Sequence, residues 1–318
     1  VNILEYNFLG RTDIKVSRLC FGALTIGPLQ ANLPVGEGAA VIRRALDAGV
    51  NFIDTAELYQ TYPYIKEAIS GRYRETVVAT KCYAYTREGM QKSLAAALAA
   101  LGRDYIDIFL LHEQESELTI RGHWEAVEHL LEAKQRGIVR AVGISTHSVR
   151  GVRAAAAVPE FDIIHTLVNI SGIGICDGTL EDMISAIQEA CGAGKGLYGM
   201  KALGGGNLIG NTREAFSFAL SLPGLASVAV GMRTAAEVDY NVAVFSGLTV
   251  TPEIEQKVGA QRRSLHIEDW CQGCGECVGR CSAGALRVDG GKARVEPGLC
   301  RLCGYCGSVC PEFCIKIV

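Results

Sequence analysis

Nine of the 13 cysteines in this chain fall between Cys271 and Cys314. Eight of them form two runs of one spacing, Cys271-x₂-Cys274-x₂-Cys277-x₃-Cys281 and Cys300-x₂-Cys303-x₂-Cys306-x₃-Cys310, the second followed by Pro311. Three thiolates at this spacing wrap one corner of an iron–sulfur cubane, and N–H groups of the tight loop point at the sulfides. The fourth cysteine is carried away by the following turn to a second cubane. The runs therefore predict two [4Fe–4S] clusters. One is held by Cys271, Cys274, Cys277 and Cys310, the other by Cys300, Cys303, Cys306 and Cys281. Paired zinc knuckles also use C-x₂-C, but zinc has no need of two doubled runs. Ser282 stands where a proline would usually tighten the turn after Cys281, and no ligand is lost by it. Cys314 is surplus and reads as a small buried hydrophobe.

A second constellation lies in the first half of the chain. Asp54, Lys81 and His112 each end an apolar run that otherwise reads as core, and Tyr59 follows Asp54 in the next loop. One polar strand end is commonplace. A carboxylate, an ammonium and an imidazole on three consecutive strands, with a phenol nearby, have the makings of an acid–base site. A buried structural Asp–Lys pair with a core histidine is the alternative.

These residues need a frame that brings strand ends together. Strand-like runs occur at 19–24, 51–54, 77–81, 106–112, 141–145, 163–168, 197–201 and 228–231. Helix-like stretches lie between them at 41–48, 90–101, 124–136, 149–157, 182–190, 213–220 and 235–245, several stopped by glycine and one opened by Ser148 as N-cap. Eight strands alternating with helices over about 250 residues predict a (β/α)₈ TIM barrel, with chemistry at the C-terminal strand ends. An open doubly wound sheet competes, but Gly22 and Gly27 lack the G-x-G-x-x-G spacing after the first strand. Residues 6–9 and 14–16 read as a hairpin closing the barrel floor. Residues 251–263 read as one more helix, with Thr251 as N-cap and Pro252 in its first turn. Two short strands at 285–288 and 293–295 follow. The expected division is a barrel over 1–250, a linker helix over 251–265, and a small α+β iron–sulfur domain over 266–318.

The 318 residues are 49% hydrophobic and 20% charged, enough apolar surface for a large core. A net charge of −3 argues against nucleic acid and anionic lipid as partners. No apolar run approaches a membrane span. Val1–Glu5 has neither a basic nor an apolar leader region, so no secretory signal is expected. Clustered thiols without a secretory leader point to metal ligation in a reducing cytoplasm.

Asn51-Phe52-Ile53-Asp54-Thr55-Ala56-Glu57-Leu58-Tyr59, Ala79-Thr80-Lys81 and Asp104-Tyr105-Ile106-Asp107-Ile108-Phe109-Leu110-Leu111-His112 resemble the three signature segments of the aldo-keto reductase family. Leu9-Gly10-Arg11-Thr12, Gly143-Ile144-Ser145 and the run from Met200 to Gly206 are similar to it too. With the tail, the chain resembles the branch fused to a two-cluster bacterial-ferredoxin-like domain. The resemblance implies a carbonyl reductase, or alcohol dehydrogenase, with Tyr59 as general acid/base. A free tyrosine has a pKa of about 10, and Lys81 beside it is expected to lower that value. Asp54 would hold Lys81, and His112 would orient the substrate oxygen. Tyr62 and Tyr64 are nearby but lack the motif spacing.

The resemblance also implies NADP or NAD. Ser145 and His165 would meet the carboxamide, and Met200, Lys201, Leu203 and Gly204 follow the seventh strand beside the cofactor. Gly231, Arg233 and Thr234 would approach a 2′-phosphate, and Glu237 and Asn241 the adenine. Arg233 favours NADP. The family often has Asn, Gln and a stacking aromatic where this chain has Thr146, His165 and Met200. A hydride carries two electrons and a cluster ordinarily one; flavin usually bridges that gap, yet no flavin motif is present. Two further functions stay open: an iron–sulfur electron carrier that uses the barrel as a flavin or substrate platform, and a binding subunit. The expected substrate is a small carbonyl or alcohol, with Tyr62, Tyr83, Tyr85 and Trp124 as possible pocket aromatics. A redox partner protein would dock at the cysteine-rich region.

Overall fold

A run such as Ile-Asp-Ile-Phe-Leu-Leu carries apolar residues on both faces, the pattern of a strand covered on both sides. In the computed structural model, which describes residues 4–318, all eight expected runs are such strands. Val1, Asn2 and Ile3, part of the segment read as having no leader, lie outside the described residues. A hairpin comes first, β1 (Tyr6–Phe8) and β2 (Lys15–Ser17). Then come β3 (Leu19–Gly22), β4 (Phe52–Asp54), β5 (Val77–Cys82), β6 (Ile106–Leu111), β7 (Val139–Thr146), β8 (Ile163–Leu167), β9 (Gly196–Met200) and β10 (Leu225–Gly231). They pair in parallel and close as β10-β3-β4-β5-β6-β7-β8-β9.

The helices between them are α1 (Val35–Asp47), α2 (Tyr62–Ala68), α3 (Arg87–Leu101), α4 (Glu117–Gly122), α5 (Trp124–Gln135), α6 (Val149–Ala157), α7 (Leu180–Gly192), α8 (Thr212–Ser221) and α9 (Ala235–Phe245). Ser148 caps α6 by accepting from the Gly151 N–H at 3.1 Å, as expected. α2 and α4 have no counterpart in the sequence reading. At seven and six residues they are too short to show a helical period.

The hairpin plugs the barrel floor. Leu9, Ile14 and Val16 pack with Cys20, Phe52, Ile108, Ala141, Ile163 and Tyr198 from the barrel interior. Gly10 turns there with φ +56°, and a Cβ on it would stand 2.3 Å from the Gly196 nitrogen. Only glycine fits this turn.

After the barrel, α10 (Pro252–Gly259) is shorter than the expected helix over 251–263. Thr251 sits at its N-cap but makes no side-chain cap bond, and Pro252 is in the first turn. The cysteine-rich region then holds β11 (Leu265–Ile267), α11 (Glu276–Arg280), the hairpin of β12 (Leu286–Asp289) with β13 (Lys292–Val295), and β14 (Ile315–Ile317). β14 pairs antiparallel with β11.

This region packs against the loop that follows β9. The Ile317 N–H donates to the Gly205 carbonyl at 3.0 Å, and Asn207 Nδ2 donates to the Ile315 carbonyl at 3.0 Å. Gly206 has φ +88°, and a Cβ there would lie 2.0 Å from the Ile317 carbonyl oxygen. Phe313 packs into an apolar cluster with Leu167, Ile173, Met200 and Leu208. The cysteine-rich region therefore stands at the C-terminal mouth of the barrel.

Candidate active site

β4 delivers Asp54, β5 delivers Lys81, and His112 directly follows β6. Lys81 Nζ donates to both Asp54 carboxylate oxygens, at 2.9 and 2.8 Å, and to the Thr55 carbonyl at 2.6 Å. All three ammonium protons are thus used, and the pair is buried. Tyr198 on β9 donates its hydroxyl to Asp54 Oδ1 at 2.8 Å. Sequence reading did not single out Tyr198. Its signal was its place two residues before Met200, on the same inward face of the strand.

Tyr59 sits in a short 3₁₀ turn, Glu57–Tyr59, right after β4. Its hydroxyl is 3.5 Å from His112 Nε2, and its ring centre is 5.2 Å from Lys81 Nζ. Tyr83 stacks on His112 with ring centres 4.4 Å apart, and its hydroxyl donates to Glu113 Oε2 at 2.6 Å. His112 Nδ1 is buried with no hydrogen-bond partner among the described residues. Burial, reinforced by the Lys81 charge, holds His112 well below the usual imidazole range. A neutral ring with its proton on Nε2 leaves a bare lone pair at Nδ1, a smaller cost than a stranded N–H.

The expectation that Lys81 lowers the Tyr59 pKa is corrected here. Burial, with Asp54 and Glu113 adding to it, pushes Tyr59 well above 10. The reason is geometric: the Lys81 charge is already cancelled by Asp54. Tyr62 and Tyr64 serve the frame, with hydroxyls bonded to Thr80 Oγ1 and the Leu33 carbonyl, each at 2.7 Å. Tyr85 is exposed and Trp124 half-buried at the start of α5.

The residues expected around a dinucleotide are divided. Ser145 is buried and its Oγ accepts from the Glu113 N–H at 2.9 Å. His165 turns toward Asp54. It stacks on Tyr198 at 3.8 Å, its Nδ1 lies 3.1 Å from the Tyr198 carbonyl oxygen, and its Nε2 lies 3.7 Å from Asp54 Oδ1. The ring thus lies between Tyr198 and Asp54. Met200 and Lys201 are half-buried at the mouth. Lys201 has φ +59°, and burial pushes it down to about 8. Leu203 is half-buried, while Gly204 closes a turn with the Lys201 carbonyl and Asn207.

Gly231 is exposed at the end of β10. The Arg233 N–H donates to Glu237 Oε2 at 2.6 Å, and Thr234 caps α9. Asn241 is buried on α9. Two residues just past α10 reach this end unannounced by sequence. Gln261 Nε2 donates to Thr234 Oγ1 at 2.6 Å, and Arg263 pairs with Glu237 at 3.1 Å.

In the cysteine-rich region, Cys271, Cys274, Cys277 and Cys310 line one cavity, joined by Gly273, Gly275, Ala293 and Ile315. Ala293 N–H points at Cys271 Sγ at 3.4 Å and Cys314 N–H at Cys310 Sγ at 3.2 Å. Ala285 N–H does the same for Cys281 at 3.3 Å. Cys281, Cys300 and Cys306 share the small core of this region. Thiols ringing a cavity, with N–H groups aimed at sulfur, are a donor set that fits a cubane. Among the described residues no three such ligands close on a single-ion point, and no helix is long and apolar enough to cross a membrane.

Residues 18–216 match the model of the aldo/keto reductase family, and residues 264–311 match that of the 4Fe-4S dicluster domain. The chain is 24% identical over 287 residues to L-galactose dehydrogenase of Arabidopsis thaliana, covering 77% of this chain and 89% of that protein. It is 31% identical over 189 residues to the NADH-specific methylglyoxal reductase of Escherichia coli, covering 51% and 58%. Other curated relatives are spanned over 41 to 60% of their own length. An aldo-keto reductase from Bacillus halodurans, solved in its holo form, shares the fold with a TM-score of 0.65 at 22% identity, over 80% of this chain and 95% of that one.

Proposed function

The chain belongs to the aldo/keto reductase family and carries a 4Fe-4S dicluster domain, and from that premise we propose that it reduces a small carbonyl compound with a nicotinamide cofactor. Tyr59 Oη and His112 Nε2, 3.5 Å apart above the buried Lys81–Asp54 pair, carry this reading. A carbonyl oxygen lodged against both accepts two hydrogen bonds, which polarise its carbon. A bound reduced nicotinamide would supply the hydride, and the two clusters that the dicluster domain implies would pass single electrons. As charge gathers on the substrate oxygen, Tyr59 gives up its proton. Lys81 then faces a tyrosinate, and Asp54, Thr55 and Tyr198 keep the ammonium in place. A phenol held above its ordinary pKa stays protonated near neutrality, so the proton that reduction needs is in place while the tyrosinate that alcohol oxidation needs is scarce.

Ser145 and His165 are the carboxamide contacts in this reading, with Met200, Lys201, Leu203 and Gly204 beside them. Gly231, Arg233, Thr234, Glu237 and Asn241 form the adenosine end. The Arg233 guanidinium has no ion-pair partner among the described residues and suits a 2′-phosphate, hence NADP. Residues 1–250 form the catalytic unit, 251–265 the linker and 266–318 the electron-carrying part, where a redox partner protein would dock. Eight thiolates committed to iron suit a reducing cytoplasm.

Tyr59→Phe tests the core of this reading. NAD(P)H oxidation over a panel of small aldehydes and ketones is expected to fall at least about 100-fold. Undiminished turnover would remove Tyr59 from the chemistry.

One set of contacts favours a second reading, an iron–sulfur electron carrier with a flavin on the barrel. Thr234 and Glu237 are bonded to Gln261 and Arg263, and Gly205 is bonded to β14, so a dinucleotide must compete for this ground. Anaerobically purified protein that releases flavin and exchanges electrons with ferredoxin, but oxidises no NAD(P)H, would favour it.

A further inference from the structure

His112 carries half of the proposed proton-transfer pair, yet neither of its ring nitrogens has a close partner. An imidazole used in catalysis is normally turned and held by a hydrogen bond on its second nitrogen. Here Nδ1 is buried with no partner among the described residues. Nε2 faces the Tyr59 hydroxyl at 3.5 Å, a long hydrogen bond. What the ring does have is a flat neighbour. The Tyr83 ring stacks on it, centres 4.4 Å apart and planes 25° from parallel, while the Tyr59 ring stands nearly perpendicular at 5.7 Å.

Tyr83 directly follows β5 and is 45% exposed, so burial alone does not hold it. Its hydroxyl donates to Glu113 Oε2 at 2.6 Å. Glu113, the residue after His112, is fixed in turn. Its backbone is left-handed, with φ +51°. Its N–H donates to Ser145 Oγ at 2.9 Å, and the Gln114 N–H donates to the Ser145 carbonyl at 2.8 Å. Gln114 Nε2 donates to the His112 carbonyl at 3.1 Å. The contacts thus run from the end of β5, over His112, to the end of β7. An exposed hydrogen bond adds little to the fold, and strain in a non-glycine residue gathers where function requires it.

We propose that Tyr83, tethered by Glu113, is the positioning residue of His112: its ring sets the plane of the imidazole and so aims Nε2. That Nε2 is aimed at a carbonyl oxygen rests on the reductase reading; the clamp of Tyr83 and Glu113 on His112 does not. A wall of the substrate pocket would act otherwise, through affinity for the substrate.

The test compares cluster-loaded, anaerobic wild type with Tyr83→Leu, Tyr83→Phe, Glu113→Ala, Glu113→Gln and the double variant Tyr83→Phe/Glu113→Ala. The first readout is the single-turnover rate of NAD(P)H oxidation by a saturating small aldehyde. Tyr83→Leu is expected to lower it about tenfold or more, because a misaimed donor forfeits its bond to the developing charge, while carbonyl KM and NAD(P)H affinity stay unchanged. Tyr83→Phe and Glu113→Ala cut the tether and are expected to lower the rate about threefold each, and the double variant no further. Glu113→Gln still accepts from the phenol and keeps the rate. The second readout needs no turnover: the His112 ring protons by NMR of histidine-labelled, oxidised protein, assigned with His112→Gln. The stacked ring shifts them upfield; Tyr83→Phe and Glu113→Ala are expected to lose most of that shift, and Glu113→Gln to keep it. Should Tyr83→Leu fail to fold, the two tether variants carry both readouts. A Tyr83→Leu variant that raises KM at an intact single-turnover rate would make Tyr83 a pocket wall and overturn the clamp. Glu113→Ala with the wild-type shift would overturn it too. Wild type that oxidises no NAD(P)H with any carbonyl would remove the reductase reading, and the His112 signals would then decide the clamp by themselves.

Discussion

Lys81 commits its three N–H donors to Asp54 and Thr55, so Tyr59 meets a neutral pair. The consequence is a pH profile. Reduction needs the protonated phenol, which persists below a pKa raised above 10. His112, lowered well below 6.5, stays neutral over the same range. At saturating substrate, kcat for reduction is therefore expected to be flat from about pH 6 to about pH 9 and to fall only beyond about pH 10. Alcohol oxidation, which needs tyrosinate, climbs across that range. A reductive profile breaking near neutrality would assign the proton to another group. Asp54, Lys81 and His112 were legible in sequence because each interrupts an apolar run at a strand end. Tyr198 was not, because an aromatic inside a strand looks like core until its hydroxyl has an address. His165 lies opposite Ser145 in the strand register, and the contacts of its ring with Tyr198 and Asp54 lie outside any local pattern.

The eight barrel strands were visible as runs apolar on both faces, and the long helices as periodic stretches with glycine stops. What escaped were elements defined by distant partners. β11 and β14 are three residues each and pair across some fifty positions, so neither carries a signal of its own. Residues 260–263 leave the helix to reach Thr234 and Glu237, contacts that no helical period encodes. The loop after β9 was expected beside the cofactor on the family resemblance, and it is glycine-rich. Part of that richness serves β14, which no side chain at Gly206 would admit. Gly206→Ala places a Cβ against the Ile317 carbonyl in a left-handed backbone and is expected to cost more than about 1 kcal/mol. Hydrogen exchange would read it as lost protection of the Ile317 amide while the β6 and β7 amides stay protected. Unchanged exchange at Ile317 would show that the docking tolerates the methyl group.

At the scale of the whole molecule, the proposed two-electron site and the two clusters that the dicluster domain implies share one face. Cys310, proposed to hold iron, lies three residues before Phe313, whose ring packs on Met200 at the barrel mouth. Cluster ligation and pocket shape are thereby linked through one short segment. Removal of iron by oxidation and chelation is expected to loosen residues 310–317 and the loop at 201–208 together, since metal binding contributes folding free energy. Hydrogen exchange before and after chelation checks this, with the barrel strands as internal reference. Loosening confined to the cysteine loops would uncouple the two parts.

The hairpin beneath the barrel has its own consequence. With Leu9, Ile14 and Val16 stoppering the bottom, the way to Tyr59 and His112 among the described residues is from the C-terminal mouth. Whatever is consumed and whatever is made must pass through the same opening, along the flank of the lobe that carries the thiols. Traffic in molecules and traffic in electrons thus converge on one threshold, and a protein docking there to exchange charge would also stand in the exit.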